Sequence, residues 1–132
     1  MKGTIITLPC SGSRLAAPID RLPTLDPLRV AVGVRDIELV PGFDTIEHGG
    51  SVMPCVAFCE EDAKLKRRPI NKDATILWDA ALLRAGYPGL LKPGEKRIAD
   101  MLCGQVAVVF GDPEFMAALS LNRLDRDPPK PS

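Results

Sequence analysis

The chain has 132 residues, enough for one domain that buries a core without disulfide staples. Its 45% hydrophobic and 26% charged residues are ordinary globular values, and 17 basic residues balance 17 acidic ones. That balance removes the global electrostatic drive toward nucleic acid or an anionic membrane, and it leaves self-association as a homodimer open.

Gly3 to Leu8 is β-branched and predicts a first strand, followed by a Ser-, Gly- and Pro-bearing loop from Cys10 to Asp20. Asp26-Pro27 reads as a cap and first helical position for a short helix, Leu28 to Val32, ended by Gly33. A strand begins near Arg35, with Ile37, Leu39 and Phe43 assigned to one face, and Pro41-Gly42 bends or ends it. His48-Gly49-Gly50-Ser51 is a turn.

Val52 to Cys59 is apolar on both faces, which places it centrally in a sheet, with Pro54 early in the strand. Glu61 to Lys64 then turns the chain into a short strand around Leu65. Asp73 is the expected cap of a helix running from Ala74 to about Ala85, with Ile76, Leu77, Ala80, Ala81 and Leu83 as its apolar stripe. Tyr87 to Glu95 reads as a loop, and Arg97 to Leu102 fits a helical turn or a strand equally well. Gln105 to Phe110 carries the strongest strand signal, and Asp112-Pro113 starts a last helix packed through Phe115, Met116, Leu119 and Leu124.

Neighbouring strands with separate helices predict an α+β fold with a mainly antiparallel sheet of four to six strands and two or three helices. One globular domain would span 1–126, and the Pro-rich segment 127–132 reads as a disordered tail. No signal peptide or membrane-length apolar run is visible, so the expected setting is the cytoplasm with Cys10, Cys55, Cys59 and Cys103 reduced.

The candidate chemistry is thin. Cys55 and Cys59 fall on one face of a buried strand, which favours packing over a metal site, and no cofactor is expected. A cysteine nucleophile would need His48, the chain's one histidine, as its base. Glu60, Glu61 and Asp62 read as solvated acids neutralised by the basic run that follows. In that run Lys64, Lys66 and Arg68 share a face if the segment is a strand, either as a protective charged edge or as a contact for a small anionic ligand. No aromatic interleaves them to stack bases, so nucleic acid is not expected. Asn71 either fixes its own turn or presents an amide to a ligand. Trp78, one residue off the stripe, and Tyr87 are the large amphipathic aromatics, with core packing preferred for Trp78 and interface anchoring as the alternative.

K-G-T-I-I-T-L at the start, L-D-P-L-R-V-A-V-G with I-E-L-V-P, the run V-A-F-C-E-E-D-A-K-L-K-R-R-P-I-N-K-D-A-T and C-G-Q-V-A-V-V-F-G together resemble a small uncharacterised family of phages and plasmids, domain of unknown function 3846. Gly33-Val34 and Ala63 depart from its usual pattern. The resemblance carries no catalytic residue. It implies the setting, an accessory protein of a mobile element. Joined to a sequence with no triad, metal set or phosphate loop, that setting makes a non-enzymatic binder or inhibitor of a host or defence protein the leading expectation. The competing expectations are a nucleotide-like ligand binder, with Lys64 to Asn71 and the Tyr87 loop around its pocket, and a cysteine–histidine enzyme.

Overall fold

In a computed structural model of the chain, residues 2–21, 25–90 and 100–122 are described. The expectations for Leu124, for the 127–132 tail and for most of the 91–102 stretch lie outside them.

The most strand-like segment of the sequence becomes the middle of the sheet. β7 (Val106–Gly111) is flanked by β1 (Gly3–Leu8) and β6 (Val56–Glu60), all antiparallel. β2 (Leu15–Ile19) extends the sheet beyond β1, and β3 (Ile37–Leu39) closes the other edge beside β6, giving the order β2-β1-β7-β6-β3. Burial on both faces explains why Val106 to Phe110 are all inside. The Cα register pairs Leu8 with Val106 and Gly3 with Gly111, so alternate side chains fall to opposite sides.

One side holds Ile5, Phe58, Ala107 and Val109 against α1 (Leu25–Val32) and α3 (Pro113–Asn122), through Leu28, Val32, Phe115 and Leu119. The other holds Ile6, Leu8, Ala57, Val106 and Val108 against α2 (Lys72–Arg84) and a small hairpin, β4 (Thr45–His48) with β5 (Ser51–Pro54). The molecule is therefore an α+β fold with a five-stranded antiparallel sheet between helices, plus a two-stranded sheet. Among the described residues no helix is long and apolar enough to cross a membrane.

Several local expectations are corrected. The Cys10 to Asp20 loop contains strand β2, whose Leu15 to Pro18 are all exposed and so show no buried alternation. Helix α1 begins at Leu25, ahead of the expected Leu28, with Asp26 in its first turn; it ends as expected where Gly33 takes φ +85°. Phe43 lies beyond the strand and packs with the α2 side, whereas Ile37 and Leu39 pack with the α1 side. The single strand expected from Val52 to Cys59 is two strands in different sheets. The chain changes sheet at Cys55, whose N–H donates to the Asp44 carbonyl, 2.8 Å, just after Pro54, which has no N–H for a ladder.

No strand forms around Leu65. Residues 61–67 are consecutive turns, closed by Lys66 N–H to Asp62 O and Arg68 N–H to Ala63 O, both 3.0 Å, with left-handed backbone at Asp62 and Arg67. The basic edge strand is thereby removed. The cap of α2 is Asn71 rather than Asp73, and the buried stripe is Ala74, Thr75, Leu77, Trp78 and Ala81, leaving Ile76 and Leu83 exposed. The expected Asp112 cap and Pro113 start of α3 are present, with Phe115 N–H donating to Asp112 Oδ1 at 2.8 Å.

Candidate functional site

A cleft of about 420 Å³ opens where β3, β6, the 61–68 turn, residues 100–103 and α2 converge. Each wall has a local cause. β3 pairs with β6 so that Glu38 stands opposite Cys59, and the turn is fastened to the same edge by Glu61 N–H donating to Asp36 O, 2.9 Å. Within the turn Ala63 alone points inward, 7% exposed, which fixes the loop over the cleft while Leu65 stays 82% exposed.

The 100–103 wall is held by a buried polar joint. Asn71 is 0% exposed. Its Nδ2 donates to Leu8 O at 2.8 Å and to Gly104 O at 2.9 Å, and its Oδ1 accepts the Ala74 N–H at 3.0 Å. Thr75 continues the joint: its hydroxyl donates to Asn71 O, 2.7 Å, and accepts Leu102 N–H, 3.0 Å. Ile70 bridges Cys103 in the same place. The base is Trp78, 7% exposed, its indole N–H donating to Pro41 O at 3.0 Å.

The cleft floor is apolar, from Val40, Trp78 and Leu102, with Leu39, Leu65 and Met101 beside them. Its rim is mostly acidic: Glu38, Glu60, Asp62 and Asp100 face a single lysine, Lys64. Lys64 is ion-paired with Asp100. Glu60 is 3% exposed beneath Arg68, whose guanidinium bonds it at 2.6 Å through Nε. That hydrogen bond holds the Glu60 carboxyl below the usual carboxylate range. Glu38 goes the other way. Burial, then the charges of Glu61 and Asp62, push its carboxyl up.

Two thiols complete the lining, Cys59 and Cys103. Burial and then Glu38 push Cys59 up to about 12, and burial raises Cys103. Cys59 Sγ donates weakly to Glu38 Oε1, 3.9 Å. A thiol at about 12 carries almost no thiolate at neutral pH, so Cys59 suits packing and weak donation better than nucleophilic attack. Burial likewise pushes Cys55 up to about 12. His48 is on the hairpin with its ring against Phe110, centroids 5.6 Å apart. Among the described residues no three metal-ligating side chains cluster.

Of the ligand- or partner-binding candidates read from sequence, the structure brings Lys64 and Trp78 into the cleft, beside Cys59, Cys103, Glu60 and Asp62. Arg68 acts one layer behind it, on Glu60. Lys66 is on the exposed turn, Tyr87 is 57% exposed beyond α2, and Asn71 is spent on the backbone joint. Glu60 is not the solvated acid expected from its neighbours. Glu38, Met101 and Leu102 were not anticipated. Glu38 carried a signal: between Ile37 and Leu39 it is the one residue of its strand that alternation turns away from the α1 side. No family model, curated protein or solved structure matches the chain.

Proposed function

We propose that this chain is a small binding protein whose working surface is the cleft between the β3–β6 edge, the 61–68 turn and Trp78. The observation that carries the reading is the combination of an apolar floor with a charged rim, in a recess of a size typical of binding sites. The raised thiols turn the residues away from a cysteine enzyme. The engagement of Lys64 and Arg68 by carboxylates turns them away from an anionic, nucleotide-like ligand. The partner is then a protein, and the resemblance noted in the sequence supplies the setting: a phage or plasmid product that docks on, and inhibits, a host or defence component inside a bacterial cell.

Affinity capture from bacterial lysate tests this when run with matched surface variants. Leu65 lines the cleft and is 82% exposed, so Leu65→Lys changes the site without touching the core. Tyr87→Ser changes an exposed residue elsewhere. The expected result is a partner retained by the parent chain and by Tyr87→Ser and lost from Leu65→Lys. Equal retention by all three, or no partner above background, overturns the reading.

A further inference from the structure

We infer that the cleft takes a cationic side chain with an apolar stem, an arginine or lysine presented by a partner polypeptide. The inference deepens the docking reading above and rests on it.

The floor comes first. Val40, Trp78 and Leu102 are buried apolar groups whose outer surfaces form the base of the recess, and Met101 flanks them. Such a floor rewards a guest that leaves methylene or aromatic surface in contact with it. A bare divalent ion gains nothing there; it requires several clustered oxygen ligands, and the rim acids do not form such a group.

The rim then selects the sign of the guest's charge. Two of its four carboxylates are already neutralised, Asp100 by Lys64 and Glu60 by Arg68. Glu38 and Asp62 remain, and among the described residues neither is in an ion pair. Glu38 receives only the long Cys59 contact. Burial first, and then the negative potential of Glu61 and Asp62, make its carboxyl hold its proton more tightly than usual. A cation seated over the floor, with its head at Glu38, relieves the same repulsion that the proton relieves. An anion entering there meets two carboxylates outside any ion pair among the described residues, while the cleft's lysine, Lys64, is already paired with Asp100. A side chain is a better match than a small free ammonium, because the recess offers stem contact and head contact at once.

The test uses the full chain, isotopically labelled, and three capped tripeptides: Leu-Arg-Leu, Leu-Leu-Leu and Leu-Glu-Leu. Binding is read from the indole N–H resonance of Trp78, the chain's one tryptophan, at low ionic strength. The arginine peptide is expected to bind about tenfold more tightly than the leucine peptide, with the glutamate peptide weakest. Glu38→Gln, on an exposed position of β3, should reduce that preference about fivefold while leaving the leucine peptide unchanged. Raising salt from about 0.05 to about 0.5 M should shrink it too. If the leucine or glutamate peptide binds as tightly as the arginine peptide, the cation assignment falls while the docking reading stands. If no peptide moves the indole resonance, both fall together.

Discussion

Two polar joints fasten the segment between β6 and α2, and they are built from opposite materials. Asn71 is neutral and fully buried, and its side chain is bonded only to backbone: two carbonyls and one N–H from three different stretches of chain. Glu60–Arg68 is charged and joins side chain to side chain, with the Arg68 side chain 47% exposed. A backbone partner cannot rotate away or reach water when its mate is removed, so the loss is felt in full. A surface guanidinium can turn to solvent, so its loss is cushioned by hydration. The first joint therefore sets the architecture of the cleft wall, and the second adjusts its charge.

The largest expected effect follows from that contrast. Asn71→Ala removes the α2 cap and strands two buried carbonyls, which should cost about 3–4 kcal/mol in urea-induced unfolding. Asn71→Asp keeps an acceptor for the Ala74 N–H but turns a carboxylate toward Leu8 O and Gly104 O, so it should rescue little. A loss below about 1 kcal/mol for Asn71→Ala would break the comparison.

The same distinction between backbone and side-chain neighbours can be sharpened at two glycines. The nearest atoms that a Cβ at Gly3 would meet all belong to the ring of Phe115, the closest at 2.6 Å. A Cβ at Gly111 would meet that ring and also the Lys2 carbonyl, at 2.6 Å. Each alanine substitution should cost about 1–3 kcal/mol by overpacking. Phe115→Leu should recover part of the loss for Gly3→Ala, because a side chain has given way, and less for Gly111→Ala, where backbone remains. Thermal unfolding of the two double variants against their singles gives the coupling.

These joints also mark how far the sequence could be read. β7 and α3 were legible because Val106 to Phe110 and Asp112-Pro113 carry their instruction locally, in β-branched residues and in a cap. Asn71 and Asp73 are both good caps in isolation. What selects Asn71 is that its amide also reaches Leu8 O and Gly104 O, from residues 63 and 33 positions away. By sequence spacing Trp78 falls one residue off the helix stripe; the small hairpin and Pro41 O make its side the inner one and leave Ile76 outside. β2 was hidden because an exposed edge strand of Leu, Ala and Pro has no buried alternation to show. In the cleft, the basic run was visible as composition, but its pairings with Asp100 and Glu60 depend on turns that no periodicity announces.

A smaller effect belongs to the charged joint and appears in its pH dependence. Arg68 lowers the Glu60 carboxyl in the folded state, so the pair stabilises the fold above the ordinary glutamate value of about 4.3. That contribution is lost as pH falls through the lowered folded value. Arg68→Gln should therefore be less stable than the parent at neutral pH, by less than Asn71→Ala, and the two should converge on acidification. Parallel stability curves down to the acid limit would show that the pair does no work.

The smallest effect has the reverse sign. Glu38 is raised in the folded state by burial and by Glu61 and Asp62, so its ionised form opposes folding at neutral pH. Glu38→Gln should be as stable as the parent or slightly more so at pH 7, and the gain should vanish as pH falls through the raised folded value, where the parent carboxyl takes up its proton. The two glutamates lie on neighbouring strands of one sheet edge, yet they should bend the stability curve in opposite directions. Denaturant midpoints of parent, Arg68→Gln and Glu38→Gln across the acid range separate them. A destabilised Glu38→Gln at neutral pH would mean that this carboxylate already has a stabilising partner, and the charge left over on the cleft rim would then be that of Asp62 alone.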